Sequence, residues 1–274
     1  MTVELTILVD DQVSDPALRP DHGLSILVSG PNRNILLDAG QDPEILFSNA
    51  SALSVDLAGI RSVVVSHGHY DHTGGLARLA GRIEQLELFA HPGAFARRWV
   101  EQPGQPLKNV SCPHSLSKLC DLGAVFHAIR APELVEPWML LTGPIGGPRF
   151  GPEHFVIRKG EQIVPDWFED EIALLLKGRR GWVVVTGCCH RGLQNTLKTA
   201  RFLCRGEPIV AVVGGLHLHS CSNDELRSLV NLLGEFGNPG LYPCHCTGDK
   251  AMEFLTRRLG SQVHPVRAGS RLTF

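Results

Sequence analysis

The chain has 274 residues, 43% of them hydrophobic, with a formal charge of −2. That length and composition suit one large soluble domain or two small ones, and the near-neutral balance, with no basic tract, argues against nucleic acid or an anionic membrane as partner. Apolar runs stay far below the roughly 20 residues of a membrane span, and several of the eight cysteines lie beside candidate metal ligands rather than in a disulfide framework, so a reducing, cytoplasmic setting is expected.

In chain order, Val3, Leu5 and Ile7 alternate as a first strand where a signal peptide would carry a basic region and a cleavage site. Further strands are predicted at 24–28, 34–38, 61–66, 86–90, 172–177, 182–186, 208–213 and 240–242. Helices are predicted between them at 42–52, 73–80, 94–99, 192–204, 223–236 and 248–259. In the 223–236 segment Leu226, Leu229, Val230 and Leu233 share one face, as a helix lying on a sheet requires, and Asn223 is a candidate N-cap. Strands alternating with helices predict α/β layering. The middle, about 102–166, departs from this pattern. It is rich in proline, from Pro103 through Pro152 to Pro165, and too long for an ordinary connection. It is read as an elaboration of a single 1–274 domain, with strands at 124–129 and 138–142 and a loop over the site. A surface excursion or a homodimer contact explains it equally well.

Residues 66–75 read Ser-His-Gly-His-Tyr-Asp-His-Thr-Gly-Gly. His67, His69, Asp71 and His72 fall between a β-branched strand and a short helix, at the strand end where α/β proteins place their chemistry. Neutral imidazole and carboxylate suit Zn²⁺, Mn²⁺ or Fe²⁺. A lone histidine would read as structural; four ligand types this close read as a metal site. His190 and His245 each follow a strand and precede a helix. His217 follows a strand through Gly214-Gly215 and reads as a proton donor or substrate contact. His22, His91, His114, His127, His154 and His264 lack such a setting and are left outside the ligand set. Arg191-Gly192 and Thr247-Gly248 open helices and can hold an anion at their free N–H groups, with Arg191 as its charged partner. Plain N-capping by Thr247 explains the second pair as well.

The 66–75 run resembles the signature of the metallo-β-lactamase superfamily. The likeness extends to residues 22–40, which look like that family's opening hairpin ending in Asp38 and Gly40. It continues through Thr-Gly-Cys-Cys-His-Arg-Gly at 186–192, Gly-Gly-Leu-His-Leu at 214–218 and Pro-Cys-His-Cys-Thr-Gly at 243–248. Those last three segments together resemble the dihydropterin-ribofuranosylaminobenzene phosphate synthase-like subgroup.

The resemblance implies an αββα sandwich of two mixed sheets with helices outside. It also implies two metal positions, His67, His69 and His190 at one and Asp71, His72 and His245 at the other, taking one or two divalent ions, zinc first, with manganese, iron and magnesium as alternatives. His190 can instead face substrate. Asp38 is placed to orient a ligand imidazole, or simply to form the turn before Gly40. Cys188 stands where many binuclear members carry a bridging aspartate. It reads either as a thiolate ligand or as a small buried thiol. The third-histidine motif usual earlier in that hairpin is absent, and residues 165–171 occupy its region.

The expected activity is metal-dependent hydrolysis of a phosphorylated or otherwise anionic small-molecule ester, with Asp71 and His217 as catalytic groups and Arg191, His217, Thr247 and Gly248 contacting substrate. A condensing transferase joining a dihydropterin to an arylamine ribofuranosyl phosphate is the alternative. A non-catalytic metal-binding protein is the third reading.

Overall fold

The computed structural model describes residues 2–148 and 154–274; Met1 and residues 149–153, with Pro152 of the central segment, lie outside the described residues. The chain begins with β1 (Glu4–Val9), β2 (Ser25–Ser29), β3 (Asn34–Leu37), α1 (Pro43–Ala52), β4 (Ser62–Val64), α2 (Tyr70–Thr73), α3 (Leu76–Ala80) and β5 (Glu87–Ala90). The central segment supplies β6 (Arg98–Val100), β7 (Lys108–Asn109), α4 (Leu116–Asp121), β8 (Val125–Ala128), β9 (Glu133–Glu136), β10 (Met139–Leu141), β11 (Phe155–Lys159) and β12 (Gln162–Pro165). The last part holds β13 (Leu174–Lys177), β14 (Trp182–Thr186), α5 (Leu193–Leu203), β15 (Ile209–Gly215), α6 (Asn223–Glu235), β16 (Gly240–Cys244), α7 (Asp249–Leu259) and β17 (Arg271–Thr273).

Two mixed sheets form the core. One runs β17-β1-β2-β3-β4-β5-β8 and the other β16-β15-β14-β13-β10-β9. Residues 5–9 of β1 and 183–186 of β14 are buried on both faces, so Ile7-Leu8-Val9 and Val183-Val184-Val185 are continuous apolar runs. Between the sheets lie Ile7, Val28, Trp138, Leu174 and Val185. The outer face of the first sheet is covered by α1, α3 and α4 through Leu46, Leu79 and Leu119. The outer face of the second is covered by α5, α6 and α7 through Leu197, Leu233 and Leu255. In α5, Leu193, Leu197 and Ala200 are buried at helical spacing. The result is the four-layer α/β sandwich that the resemblance implies. Among the described residues no helix is long and apolar enough to cross a membrane.

Several local expectations change. The predicted helix 94–99 is a tight turn at Pro92–Phe95 followed by β6, because the His91 side chain accepts the Gly93 N–H and Arg98 is drawn into a β6–β11 pairing. The predicted helix 73–80 breaks at Gly74-Gly75 into α2 and α3. A Cβ on Gly74 would sit 1.9 Å from the Gln41 carbonyl oxygen, so the chain here packs backbone against backbone. Helix α6 is capped by Ser222, in a reciprocal capping box with Glu225, rather than by Asn223.

The two strands expected within the central segment are present as β8 and β10, and each joins a principal sheet. Of the segment's other strands, β9 joins the second principal sheet, and β7, β11 and β12 join β6, just before residue 102, in a separate small sheet, β12-β11-β6-β7. It borders the site: His69 bridges to Ser111, and the His69 and Phe155 rings stack at 5.1 Å.

Candidate metal centre

Six strands deliver the site from their C-terminal ends. Asp10 and Asp11 follow β1, Asp38 follows β3, His67 to His72 follow β4, Cys188 and His190 follow β14, His217 follows β15 and His245 follows β16. Asp38, Cys189, His217 and His245 all have positive φ, between 48° and 62°. Non-glycine residues hold that conformation only where surrounding structure enforces it, at about 1–3 kcal/mol each, and they gather at functional sites.

The hydrogen bonds behind the imidazoles fix which nitrogen faces inward. Asp38 Oδ2 lies 2.7 Å from His72 Nδ1. A carboxylate only accepts, so Nδ1 carries the proton and Nε2 keeps its lone pair. The Ser66 hydroxyl donates to Asp38 Oδ2 at 2.6 Å and lies 2.9 Å from His67 Nδ1, so His67 is held in the same tautomer. His245 Nδ1 donates to Asp11 Oδ1 at 2.6 Å, and its backbone N–H donates to Asp10 Oδ1 at 2.8 Å. These three rings therefore turn Nε2 towards the centre.

The inward atoms form two adjoining groups. In the first, His67, His69 and His190 bring ring nitrogens within 4.8 Å of one another, and His67 Nε2 is 3.2 Å from His190 Nε2. In the second, Asp71 Oδ2 lies 3.7 Å from His72 Nε2 and 3.4 Å from His245 Nε2. Cys188 stands between the groups, its Sγ 3.1 Å from His72 Nε2. It also shares ligand-scale clusters with His67 and His72, with His190 and His217, and with His245 and Cys246. The Cys188 position thus joins both groups while the thiol itself is buried.

A divalent ion fits these residues. Buried His69 Nε2 and His190 Nδ1 have no hydrogen-bond partner, nor does either ring nitrogen of His217. Buried polar atoms are ordinarily satisfied, and lone pairs facing each other repel unless a cation stands between them. Zn–N bonds of about 2.0–2.1 Å in a tetrahedron place ligand nitrogens about 3.3 Å apart, close to the 3.2 Å between His67 and His190.

Electrostatics divide the groups. Burial, reinforced by neighbouring rings, pushes the pKa values of His67 and His190 far down, and burial beside Arg98 lowers His69 to about 3; these rings stay neutral, as ligands must. Burial works against ionising Asp71, but His72 and His245 outweigh it and hold its carboxyl below the usual range. Burial likewise disfavours charge on His245, yet Asp11 and Asp71 raise its pKa well above the ordinary value. In the second group a proton on His245 thus partly does what a cation would do.

Several supporting residues carry no local signal in the sequence. Glu171 accepts the backbone N–H groups of His190 and Arg191 at 2.5 and 2.6 Å, and burial raises its pKa to about 8. Phe168 stacks on His190 with ring centroids 4.0 Å apart. Asp170 accepts the Gly68 N–H at 2.8 Å and pairs with Arg98. Residues 165–171, noted for lacking a histidine motif, are thus the floor of the site. Cys246 lies against Cys188. Burial opposes its ionisation, but Cys188 and His217 lower it, so of the two thiols Cys246 ionises first.

Two expectations are corrected. The Arg191 guanidinium donates to the carbonyls of Ile145, Trp167 and Gly147 at 2.6–3.1 Å. It fastens the 143–148 loop and does not face a substrate anion. The Thr247 hydroxyl donates to the Cys244 carbonyl and accepts the Leu216 N–H; it neither caps α7 nor remains free for substrate. Gly248 opens α7 at φ +79°, with its Cα face against His219. His22, left outside the ligand set, places Nε2 3.5 Å from Asp71 Oδ2.

Residues 18–106 match the family model for the metallo-β-lactamase superfamily. The sequence is 27% identical, over 92% of this chain and 90% of the relative, to the 7,8-dihydropterin-6-methyl-4-(β-D-ribofuranosyl)-aminobenzene-5'-phosphate synthase of Methanocaldococcus jannaschii. It is 28% identical to an uncharacterized protein of the same organism, over 86% of this chain and 88% of the other. A crystal structure of a metal-dependent hydrolase of the β-lactamase superfamily superposes with a TM-score of 0.84 at 27% identity, covering 98% of both chains. Motif, layer order and donor cluster agree with these likenesses: residues 18–106 match the metallo-β-lactamase superfamily, and the chain has the fold of a solved hydrolase of that superfamily.

Proposed function

We propose that the protein is a metal-dependent hydrolase of a small anionic ester. The observation that carries this reading is the pair of adjoining donor groups, in which His67, His72 and His245 are held with Nε2 inward and the one carboxylate, Asp71, is held ionised. His67, His69 and His190 would hold one ion, and Asp71, His72 and His245 a second, with Cys188 between them. Ions bound there supply Lewis acidity, lowering the pKa of a water towards neutrality and polarising the scissile group.

The chain's own groups do the rest. Asp71 orients the attacking water and takes up its proton. His217 stands beside His190 with both ring nitrogens free of good hydrogen bonds, and gives a proton to the leaving group. Phe155 and Phe168 wall the first group and exclude bulk water. With Arg191 engaged elsewhere, ions bound at the two positions would hold the anion of the substrate, together with the starts of α5 and α7, neither of which carries a side-chain cap.

The synthase likeness supports a second reading, in which the same centre orients a dihydropterin bearing a leaving group against an arylamine ribose phosphate. Metal-reconstituted protein assayed on phosphomonoesters, phosphodiesters and carboxylate esters tests the choice. The hydrolase reading expects turnover without an amine acceptor, reduced at least about 10²-fold by Asp71→Asn. Condensation of the two half-substrates, with no ester cleaved, would replace it by the transferase.

A further inference from the structure

We infer that His22 is an additional ligand of the second metal position, with Asp11 as the group that orients it. The inference rests on the metal-centre reading above and extends its donor set. His22 and His245 are arranged alike about one carboxylate. Asp11 Oδ1 accepts from His245 Nδ1 at 2.6 Å, and Asp11 Oδ2 pairs with His22 Nδ1 at 3.0 Å. Each ring is thereby held with Nδ1 outward and Nε2 inward, and the two Nε2 atoms reach the same Asp71 Oδ2, at 3.4 and 3.5 Å. A carboxylate behind an imidazole is the usual device for fixing a metal-binding tautomer; here one carboxylate serves two rings.

The backbone supports the same placement. The Asp21 N–H donates to the Asp10 carbonyl and the Leu24 N–H to the Asp71 carbonyl, each at 3.2 Å, so the chain is pinned on both sides of His22. Between them, Gly23 passes so near that a Cβ would lie 2.3 Å from the Asp71 carbonyl oxygen, and its φ of +147° suits glycine alone. A half-exposed surface histidine needs no such anchoring. His22 lies at the rim of the centre, its side chain 54% exposed, so it closes the second group on the solvent side.

The test is zinc titration of chelator-stripped protein against a chromophoric chelator, with wild type, His22→Ala and Asp11→Asn in parallel, and cobalt absorption spectra of the same three. The expected result is that His22→Ala weakens one zinc at least about 10-fold, leaves the other unchanged and alters the cobalt ligand-field bands. Asp11→Asn should weaken the same ion about 10–100-fold, because it loosens two rings. Zinc affinity and cobalt bands unchanged in His22→Ala would overturn the inference while leaving the metal centre standing, and would make His22 a substrate contact. A wild type that takes up no zinc would overturn both. Circular dichroism of each variant separates loss of a ligand from loss of the fold.

Discussion

At the scale of single residues, side chains that share one neighbourhood differ in what stands behind them. His67, His72 and His245 are each backed by an acceptor that fixes the ring, whereas His217 has none. In the proposed hydrolase His217 is the proton donor, and that role gives a prediction. His217→Ala should lower kcat about 10²-fold or more on esters with poor leaving groups and leave nitrophenyl esters, which need no proton, almost unaffected. Equal losses on both, measured by steady-state kinetics, would remove the donor role. The residues legible in the sequence were those whose ligand types sit close together, His67 to His72, or directly follow a strand, His190 and His245. Asp11, His22, Glu171 and Cys246 are not legible as partners, because their relevance comes from contacts distant in sequence, up to the 234 residues between Asp11 and His245. The charge of Arg191 suggests an anion partner, but its guanidinium donates to three backbone carbonyls.

At the scale of elements, the β6–β11 pair and the 165–171 segment act as a frame for the first metal group. Arg98 is fully buried between Asp166 and Asp170, at 3.4 and 3.0 Å, and Asp170 in turn holds the Gly68 N–H between the first two histidines. A Cβ on Gly68 would lie 1.8 Å from the Ala94 carbonyl oxygen, so the motif's glycine is required by the backbone packed against it. Breaking a buried ion pair from one side costs about 3–5 kcal/mol because the partner charge is stranded. Arg98→Ala should therefore destabilise the metal-free protein by about that much in denaturant unfolding, and an effect near zero would show that this frame does not support the site. The helix expected at 94–99 failed here for the same reason: strand pairing and the buried ion pair override local propensity. By contrast α5, α6 and α7 lie within a residue or two of the expected spans, since an apolar face at helical spacing is a strong local signal.

At the scale of the whole molecule, strand and helix order gave α/β layering, while the two-sheet sandwich came from the family resemblance. Periodicity is silent on which strands share a sheet: nothing local in 124–129 or 138–142 says that these strands join opposite sheets. The three-residue β17, which pairs antiparallel with β1, is too short to announce itself. What the whole fold accomplishes is convergence, bringing six strand ends to one edge of the sandwich so that donors from Asp11 to His245 meet. The central claim is that this edge is a two-position metal centre, and elemental analysis of purified, metal-reconstituted protein tests it most directly, with wild type beside His190→Ala and Cys188→Ala. The account predicts about two divalent ions per chain in the wild type and about one in His190→Ala, with any further loss in Cys188→Ala marking the thiolate as a ligand. A wild type with essentially no bound ion, or a His190→Ala variant that keeps the full complement, would contradict it.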